Sequence, residues 1–529
     1  MNKQTLSFEQ TGYFSKLITD YLAGNKKLNP FINQPFNLDA FKTLIQQRKE
    51  TKTDRNTLVQ ALENQYKNIA TSDFTKTNIQ QLKNENCFTI TTGHQLNLFT
   101  GPLYFIYKII SVINLAKELK RAYPENDFVP VYWMATEDHD FEEVNHFSLL
   151  GNKINISKTQ DGAVGRMKLT NVDDVLQEIK TALEGRNGAE QIIELFQQFY
   201  TSDKTFTEAI RALVNHLFDK YGLVIIDGDD ATLKQTMFPY FENELVYQKN
   251  ASFVEKTSHL LTELSYKTQL TPREINLFYL DNQIRERIVF EENKYKVLNT
   301  KLEFSKAQIL EELKNYPEKF SPNVVLRPLY QEVILPNLAY IGGGGELAYW
   351  FQLKAMFDAN NVFFPMLVLR NSVLIVDGGS CKKISKLNLT MKQLFLETEE
   401  LIKTYLKDNA SISLDMNEEE KLVEGVFTKI GLKAFKVDAS LEALVKAELQ
   451  KSLKSLENIA ARLVKAEKQK EDIAVNQIRG IKDKLFPNGS LQERQDNLSM
   501  LLLFYGEPFL DELLLHLNPL EKEFVVLYE

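Results

Sequence analysis

The chain contains little cysteine and no long apolar segment. Only two of its 529 residues are cysteines, Cys87 and Cys381, and no CxxC pair occurs. Two isolated cysteines cannot build a disulfide framework, which predicts a reducing compartment. No apolar run approaches the roughly 20 residues that span a bilayer, and the first residues lack the charged head and apolar core of a signal peptide. These absences predict a soluble, cytoplasmic protein with no membrane partner.

A basic block is also missing. The 63 basic and 71 acidic side chains give a net charge of −8 and a pI near 5.6. An acidic chain without a basic patch is poorly suited to phosphate-driven binding, so no nucleic-acid partner is expected. A few local arginines can still hold a small acidic substrate. A chain of 529 residues, 43% of them apolar, predicts two or three packed units rather than one core.

A strand, a helix and a second strand follow each other between residues 87 and 135. "CFTITT" (87–92) and the nearly continuous apolar run at 128–135 are typical of buried strands. The helical periodicity between them begins at Pro102, which we place at the first helical position. A right-handed crossover makes the strands parallel, so their carboxyl ends lie at one edge of the sheet, where α/β folds bind ligands. His94 and His139 are therefore predicted to be neighbours.

Further segments extend this α/β pattern along the chain. Strands are predicted at 223–230, 324–328, 362–370 and 372–379, and a helix at 346–359 follows the glycine run at 341–345. Two regions, 151–205 and 235–320, are typical of insertions that carry short strands and helices. The first 85 or so residues are typical of a helical segment. We predict a core at 1–380, a helical domain at 381–505, and a tail at 506–529 that packs back onto the core.

A long proline-free stretch at 439–486 predicts a helix with coiled-coil character. Its apolar positions include Leu453, Leu456, Ala460 and Leu463, which step three and four residues apart. The breakers "FPNGS" end it. A helix of this kind pairs either within the chain or with another copy.

The segment "GHQLNLFTGP" (93–102) is the first candidate for chemistry. It is interpreted as a loop of backbone donors that leads into a helix N-terminus, an arrangement that suits an anion, with His94 stabilising charge in a transition state. The alternative is a tight connection whose histidine and glutamine satisfy loop carbonyls. The residues predicted to bind substrate here are Gly93, Gln95, Asn97, Thr100 and Gly101.

The segment "TEDHDFEEVNH" (136–146) is the second candidate. A histidine among carboxylates can be oriented by one of them and tuned by the others, so acid–base catalysis by His139 with Asp138 or Asp140 is the favoured interpretation. Glu137 is predicted to contact substrate. A metal site built from His139, Asp140 and His146 is the alternative, but the spacing matches no helix-borne zinc pattern and no metal is predicted. Glu142 and Glu143 suit a solvated acidic loop.

The segment "IGGGGELAYW" (341–350) offers close backbone approach to a ligand. It matches neither dinucleotide-binding nor P-loop patterns, so no such site is claimed. Its predicted binding residues are Gly343, Gly345, Glu346 and Tyr349. Arg327 and Arg370 are each placed at the end of a strand on the binding edge, where a guanidinium forms a natural fork for a carboxylate. The alternative for each arginine is a salt bridge within the sheet.

Four stretches taken together resemble the bacillithiol biosynthesis cysteine-adding enzyme family. They are "TTGHQLNLFTGPLYFIYKIISVINLA", "PVYWMATEDHDFEEVNH", "VVLRPLYQEVILPNLAYIGGGGELAYWFQL" and "LFPNGSLQERQDN". The resemblance implies a Rossmann-like, nucleotidyltransferase-like core with two connecting-peptide insertions, and a C-terminal coiled-coil domain that makes a homodimer. It also implies a distant similarity to class I aminoacyl-tRNA synthetases, with "GHQ" near the place of their histidine signature.

The reaction that the resemblance implies joins the cysteine carboxyl to the glucosamine amine of glucosaminyl-malate. In our hypothesis His139 takes the proton from the glucosamine ammonium, while His94 and the helix start at Gly101 stabilise an oxyanion or a phosphate. Arg327 and Arg370 hold malate carboxylates or an activated cysteinyl group. A free carboxylate does not form an amide, so ATP or another activated donor is required.

The chain departs from the family pattern in its glycine loop. The family usually has a proline there, as in GPGE, whereas this chain reads "GGGGE", with Gly344 at the proline position. The additional glycine makes the loop more flexible. Two alternatives remain open from the sequence: a nucleotidyltransferase-like enzyme that acts on another sugar or nucleotide, and a non-enzymatic scaffold that recruits partners through its long helix.

Overall fold

The computed structural model describes residues 1–157, 160–409 and 416–529. Its strands are β1 (Asn2–Ser7), β2 (Cys87–His94), β3 (Asp127–Met134), β4 (His146–Leu149), β5 (Asn152–Asn155), β6 (Val224–Asp227), β7 (Leu277–Asp281), β8 (Ile284–Glu291), β9 (Lys294–Val297), β10 (Glu303–Phe304), β11 (Phe320–Pro322), β12 (Asn337–Gly342), β13 (Met366–Leu369), β14 (Val373–Val376) and β15 (Glu523–Tyr528).

The helices of the first two thirds of the chain are α1 (Phe8–Thr11), α2 (Lys16–Leu22), α3 (Ala40–Glu50), α4 (Arg55–Tyr66), α5 (Asp73–Gln81), α6 (Tyr104–Ala122), α7 (Phe141–Val144), α8 (Val172–Leu183), α9 (Ala189–Phe199), α10 (Phe206–Phe218), α11 (Ala231–Gln235), α12 (Phe238–Tyr247), α13 (Asn250–Glu263), α14 (Lys306–Asn315), α15 (Leu326–Ile334) and α16 (Gly344–Ala359). The remaining helices are α17 (Gly378–Lys386), α18 (Thr398–Asn409), α19 (Asn417–Val437), α20 (Leu441–Lys470), α21 (Asp472–Leu485), α22 (Gln492–Gln495), α23 (Leu498–Tyr505) and α24 (Phe509–His516).

A five-stranded parallel sheet forms the centre of the molecule, in the order β13-β12-β2-β3-β6. Every residue of β2 and β12 is buried, as expected for strands covered on both faces. Chain order reverses between β2 and β12, because the chain first adds β3 and β6 on one side and later β12 and β13 on the other. This is a topological switch point, where open α/β sheets bind ligands. The predicted α/β class is confirmed.

The described residues form three further sheets, one of which is the two-stranded hairpin of β4 and β5. Strands β7 to β11 form an antiparallel sheet in the order β10-β9-β8-β7-β11, within the region predicted as the second insertion. Strand β15 from the tail lies between β1 and β14, antiparallel to the first and parallel to the second. The N-terminus, the segment after β13 and the C-terminus therefore share one sheet. The predicted domain boundaries at 380 and 505 stay a prediction.

The C-terminal part projects a helical hairpin. Helices α19 and α20 pack against each other, with the Cβ position of Gly431 3.8 Å from Val445. The stretch at 439–486 is not one helix, because α20 ends at Lys470 and α21 begins after Glu471. The polar middle of its apolar stripe, with Glu467 and Lys470, coincides with this break. Among the described residues, no helix combines the length and apolarity needed to cross a membrane.

Two other predictions of local structure were wrong. Residues 324–328 are not a strand, since α15 begins at Leu326 and Arg327 lies in its first turn. Pro102 precedes α6 by two residues instead of opening it. The first 85 residues are helical, as predicted, with α1 to α5, but they begin with a strand, β1, whose partner is at the other end of the chain. Short segments such as these follow their tertiary partners rather than their own pattern.

Candidate active site

A cavity of about 730 Å³ opens at the switch point. Its lining comes from the carboxyl ends of β2 and β3, the first turns of α6, α15 and α16, and one face of the antiparallel sheet. Three acidic side chains line it against seven basic ones: Glu137, Asp138 and Glu346 against Lys108, Arg273, Arg285, Arg287, Arg327, Arg370 and Arg494. An excess of cations in a concave site favours an anionic ligand.

The two histidine-containing segments meet at this cavity. Strands β2 and β3 pair in parallel with His94 opposite Met134, so the residues that follow each strand emerge side by side. The Gln95 Nε2 amide donates to Asp138 Oδ2 at 2.7 Å and to Glu143 Oε2 at 2.9 Å. The structure therefore brings His94, Gln95, Asp138 and His139 into one lining, although about 45 residues separate the two histidines.

His94 is a buried, neutral imidazole. Its ring stacks on Phe105 at 4.8 Å, and the Nδ2 amide of Asn97 faces His94 Nε2 at 3.0 Å. Burial, together with the positive charges of Lys108 and Arg370, holds the pKa of His94 well below its usual value. A neutral ring whose Nε2 accepts from Asn97 carries its proton on Nδ1. His94 can therefore donate one hydrogen bond, but it supplies no positive charge.

His139 contacts an arginine that was absent from the predicted site. The guanidinium NH1 of Arg285 lies 2.6 Å from His139 Nδ1, whereas the nearest Asp138 oxygen is 3.8 Å from that nitrogen. Asp138 bonds instead to the backbone N–H of His139, at 2.8 Å. The predicted orientation of the ring by Asp138 or Asp140 is therefore wrong. Burial and the charge of Arg285 lower the pKa of His139.

Asp138 is half-buried and is the most accessible of the three carboxylates that line the cavity. Burial raises its pKa, but the charge of Arg285 and the hydrogen bond from Gln95 outweigh that effect, so the pKa of Asp138 is lowered. Glu137, beside it, is buried against Lys234, whose ammonium lies 2.6 Å from Glu137 Oε1. Burial raises the pKa of Glu137. Asp138 is thus the carboxylate that is available to a ligand.

Four predicted residues do not line the cavity: Asn97, Thr100, Gly101 and Asp140. The loop after His94 turns away because it is tied to other segments. Asn497 Nδ2 donates to the carbonyl oxygens of Phe99 at 2.8 Å and of Gly101 at 2.5 Å, and the Phe99 N–H donates to the Tyr200 hydroxyl at 2.8 Å. These bonds hold the residues after Leu96 away from the cavity, whereas Gly93, His94 and Gln95 line it.

The alternative of a metal site finds no support in the geometry. His146 Nδ1 lies 3.0 Å from Asn145 Oδ1 and its ring does not line the cavity. Within residues 1–157, 160–409 and 416–529, no three histidine, cysteine or carboxylate side chains converge as a set of metal ligands.

The glycine segment forms one wall of the cavity, and Gly343, Gly345, Glu346 and Tyr349 all line it. Glu346 closes the start of α16 by accepting the Gly343 N–H at 2.9 Å, and it forms an ion pair with Lys108 at 2.5 Å. Lys108 also donates to the Gly93 carbonyl oxygen at 2.9 Å, which joins β2 to α16. Glu346 therefore acts as a structural brace for the loop.

Gly93 has a steric reason to be glycine. A Cβ atom at this position would lie 3.3 Å from the Tyr340 hydroxyl and 3.4 Å from NH1 of Arg327. Both neighbours line the cavity, so a side chain here would displace them. Gly93 thus allows the close approach of α15 and β12 to the end of β2.

The two predicted arginines have different environments. Arg370, directly after β13, is buried: its NH2 pairs with Glu493 Oε1 at 2.7 Å, and its NH1 donates to the Asn371 carbonyl oxygen at 2.9 Å and to Ser372 Oγ at 3.0 Å. Arg327 projects from α15 toward Gln331 Oε1 at 3.1 Å and the Tyr349 hydroxyl at 3.4 Å. Among the described residues, no carboxylate lies within ion-pair distance of Arg327. Arg327 is therefore the deep guanidinium that a ligand anion can pair with.

Sequence reasoning missed five cations of the lining: Lys108, Arg273, Arg285, Arg287 and Arg494. Lys108 carried a usable signal, because it lies one helical turn after Tyr104 in the helix that follows the histidine segment. Arg285 and Arg287 alternate on β8 and so point to the same face of that strand. Nothing local to β8 indicates that this face meets the parallel sheet.

Gly344 occupies a position that suits proline. It is the first residue of α16, and Gly343 before it is extended, with φ −73° and ψ 169°. We expect Gly344→Pro to raise the free energy of unfolding by about 0.4–1 kcal/mol, because proline restricts the unfolded chain. Ala355→Pro, in the interior of α16, is the control and should destabilise by about 3 kcal/mol. Urea unfolding followed by circular dichroism measures both; a destabilised Gly344→Pro variant would contradict the expectation.

A buried carboxylate lies behind Arg327. Glu332 Oε1 accepts from Gln331 at 2.7 Å and from Asn337 at 2.8 Å, while Oε2 is buried without a partner. Burial raises the pKa of Glu332 to about 7, from 4.5. Protonated Glu332 is thus favoured in the folded state, and this stabilisation is complete below pH 4.5 and lost as the pH rises through 7.

Glu332→Gln is expected to remove this pH dependence. The variant and the wild type should unfold alike near pH 4.5, and the variant should be more stable by about 3 kcal/mol above pH 8. Urea unfolding at a series of pH values measures the difference, with Glu311→Gln on the exposed face of α14 as the control. A constant difference across this pH range would show that Glu332 does not titrate as its burial implies.

Comparison with known proteins agrees with this architecture. The family model described as "Bacillithiol biosynthesis BshC, N-terminal Rossmann-like domain" matches residues 1–371, and "Bacillithiol biosynthesis BshC, C-terminal coiled-coil domain" matches residues 373–529. A protein of Flavobacterium johnsoniae named "Putative cysteine ligase BshC" is 47% identical over 529 residues, covering 100% of each chain. One of the same name from Flavobacterium psychrophilum is 46% identical over 530 residues, covering 100% of this chain and 99% of its own.

One solved structure also matches weakly. The crystal structure of a "putative arginyl t-RNA synthetase" from Campylobacter jejuni covers 85% of this chain and 99% of its own at 10% identity, but the TM-score of 0.21 is too low to support an argument. The family models confirm both the predicted Rossmann-like core with its coiled-coil domain and the predicted resemblance. Because they and the relatives extend over the whole chain, it belongs to the bacillithiol biosynthesis BshC family.

Proposed function

We propose that this protein is a ligase of bacillithiol biosynthesis that joins the carboxyl group of cysteine to the glucosamine amine of glucosaminyl-malate. The observation that carries the proposal is the cation-rich cavity at the switch point, with Arg327 free of any carboxylate partner among the described residues. A malate group brings two carboxylates, which guanidinium groups bind as forks. The family and the printed names of its relatives support the cysteine ligase activity.

The cavity offers separate places for anions and for an amine. Arg327 and Arg287 are half-buried in the lining, whereas Arg273 and Arg494 are exposed. These guanidinium groups are assigned to the malate carboxylates and to an activated cysteinyl group. Asp138, whose carboxyl group has a lowered pKa, is ionised at neutral pH and is assigned to hold the substrate ammonium beside the activated carboxyl. The ammonium loses a proton to solvent, the free amine then attacks the activated carboxyl, and the activating group leaves as the amide forms.

Formation of the amide requires activation of the cysteine carboxyl. ATP or another activated donor is therefore part of the proposal, since loss of hydroxide from a free carboxylate is too slow to use. The basic lining suits a phosphate as well as a carboxylate. His94 is assigned to donate from Nδ1 to the oxyanion or phosphate that develops during transfer.

A homodimer through the helical hairpin is part of the same proposal. Leu422, Val426, Ile430 and Val437 share one face of α19 and are exposed, at 71%, 55%, 43% and 82%. Apolar side chains spaced at helical intervals on a projecting hairpin are typical of a surface that pairs with another copy. Sedimentation velocity of the wild type and of Leu422→Glu tests this: the variant should sediment as a monomer, and an unchanged dimer would rule out this face.

A direct assay tests the ligase proposal. The purified protein is incubated with glucosaminyl-malate, cysteine and ATP, and mass spectrometry detects the cysteinyl conjugate with its new thiol. Omission of ATP and replacement of cysteine by serine are the controls for activation and for donor choice. A nucleotide–sugar product without cysteine would replace the ligase with a nucleotidyltransferase, and the absence of any product with ATP or a preactivated cysteine would overturn the proposal.

A further inference from the structure

The contact between Arg285 and His139 joins two elements that are remote in the chain. Arg285 lies on β8, and its side chain is only 7% exposed. Its Nε donates to Ser321 Oγ at 3.2 Å, and its guanidinium lies 4.1 Å above the Phe278 ring. These contacts hold the guanidinium in one orientation, so NH1 points at His139 Nδ1 from a fixed position.

This contact determines which nitrogen of His139 carries the proton. An arginine side chain has only donors, so the 2.6 Å bond requires a lone pair on Nδ1 of His139. A neutral imidazole with a lone pair on Nδ1 has its hydrogen on Nε2. If Nδ1 were protonated, its N–H and the Arg285 N–H would both be donors, and no hydrogen bond could form between them. The side chain is about half exposed and lines the cavity, so Nε2 remains for a ligand.

We infer that Arg285 is a positioning residue that holds His139 as the Nε2–H tautomer, so that His139 donates a hydrogen bond to an anionic group of the substrate and does not act as the base. The inference rests on the proposed function for the identity of that group, either the oxyanion of the acyl-transfer step or a carboxylate or phosphate of the substrates. It replaces the role in which His139 takes a proton from the amine.

The charges around His139 have opposing effects on its pKa. Burial and Arg285 lower its pKa, whereas Asp138 and Asp140 on its own segment and Glu286 on β8 raise it. Removal of Arg285 thus leaves three carboxylates that favour the imidazolium. The pKa of His139 is expected to rise in Arg285→Met. Because unfolding would also raise this pKa toward the ordinary histidine value, the titration is recorded on variant protein that circular dichroism shows to be folded.

The first test observes the proton directly and needs no substrate. Histidine labelled with ¹⁵N is incorporated into the wild-type protein, and the ring resonances of His139 are assigned by their loss in His139→Gln. We expect the Nδ1 resonance in the unprotonated range and the Nε2 resonance in the protonated range at neutral pH. A proton on Nδ1, or a His139 titration that is unchanged in Arg285→Met, would overturn the inference.

The second test compares two replacements of the ring in the ligase assay. Glutamine donates from its amide but cannot accept a proton at neutral pH, whereas leucine does neither. We expect His139→Gln to retain at least about ten times the kcat/KM of His139→Leu, because a hydrogen bond to a charged group contributes about 1.5–3 kcal/mol. If His139→Gln and His139→Leu are equally inactive, His139 acts as the base and the inference is contradicted.

The variants of Arg285 complete the comparison. Arg285→Lys keeps a cationic donor and should restore part of the activity that Arg285→Met loses, with the pH profile of kcat/KM shifting only in the methionine variant. If Arg285→Lys and Arg285→Met have the same activity and the same pH profile of kcat/KM, the inference is contradicted. If the wild-type protein forms no conjugate at all, the proposed function fails while the tautomer measurement still decides the role of Arg285.

Discussion

Arg327→Met is expected to lower kcat/KM for glucosaminyl-malate by about a hundredfold or more. Arg327 lines the deep part of the cavity and is held by Gln331 and Tyr349, so its guanidinium is already in place when a ligand arrives. Truncation of one partner of a buried charge pair costs about 2–5 kcal/mol, partly because the ligand anion then lies unpaired in a desolvated site. Steady-state kinetics with varied glucosaminyl-malate measure the loss.

Two further variants control this measurement. Arg327→Lys keeps the charge without the fork and should fall between the wild type and methionine. Arg121→Met, at the solvent-exposed end of α6, changes the same residue type away from the cavity and should leave kcat/KM unaltered. If Arg327→Met folds normally and stays within threefold of the wild type, Arg327 does not bind the substrate.

Glu493→Ala is expected to destabilise the protein by about 3–5 kcal/mol, a large effect for one side chain. Glu493 has no exposed surface, pairs with Arg370 at 2.7 Å and accepts the Val373 N–H at 3.1 Å. The alanine variant leaves the Arg370 guanidinium buried without a countercharge. The shift of the urea midpoint measures the change, with Glu521→Ala, whose ion pair with Lys3 is partly exposed, as a control worth about 1 kcal/mol or less.

A double variant separates the missing countercharge from lost packing. Arg370→Met combined with Glu493→Leu replaces both charges by apolar groups of similar size and should recover most of the stability, because the desolvation of two ions is then avoided. If Glu493→Ala unfolds at the same midpoint as Glu521→Ala, the pair does not hold the C-terminal segment against the cavity.

The most accurate predictions concern segments whose partners are close in sequence. β2, α6 and β3 were predicted because buried parallel strands are apolar along their whole length and the helix between them has its own periodicity. Their parallel arrangement then placed Gln95 beside Asp138, and the structure has that contact at 2.7 Å. Because the crossover between the strands is right-handed, two segments about 45 residues apart could be predicted to meet.

Other parts of the site depend on partners that no local pattern describes. Arg285 reaches His139 from a strand 146 residues away, and Glu493 reaches Arg370 from 123 residues away. A charged residue on an alternating strand or at a helix end is typical of solvent exposure, so its sequence context gives no sign of burial. The assignment of Arg327 to a strand end failed for a related reason, since its neighbours "VVL" fit a strand or the start of a buried helix equally well.

By itself, the sequence determined the class of the fold, the edge of the sheet where the cavity opens, and the family, because each depends on periodicity and on motifs that are read along the chain. Only the tertiary structure decided which side chains are free to act. It placed Asn97, Thr100 and Gly101 behind the cavity, paired Arg370 with Glu493, and added Arg285 to His139. The physical reason is that the tautomer of a histidine and the availability of a guanidinium depend on neighbours within hydrogen-bond distance, which folding brings together from segments far apart in the chain.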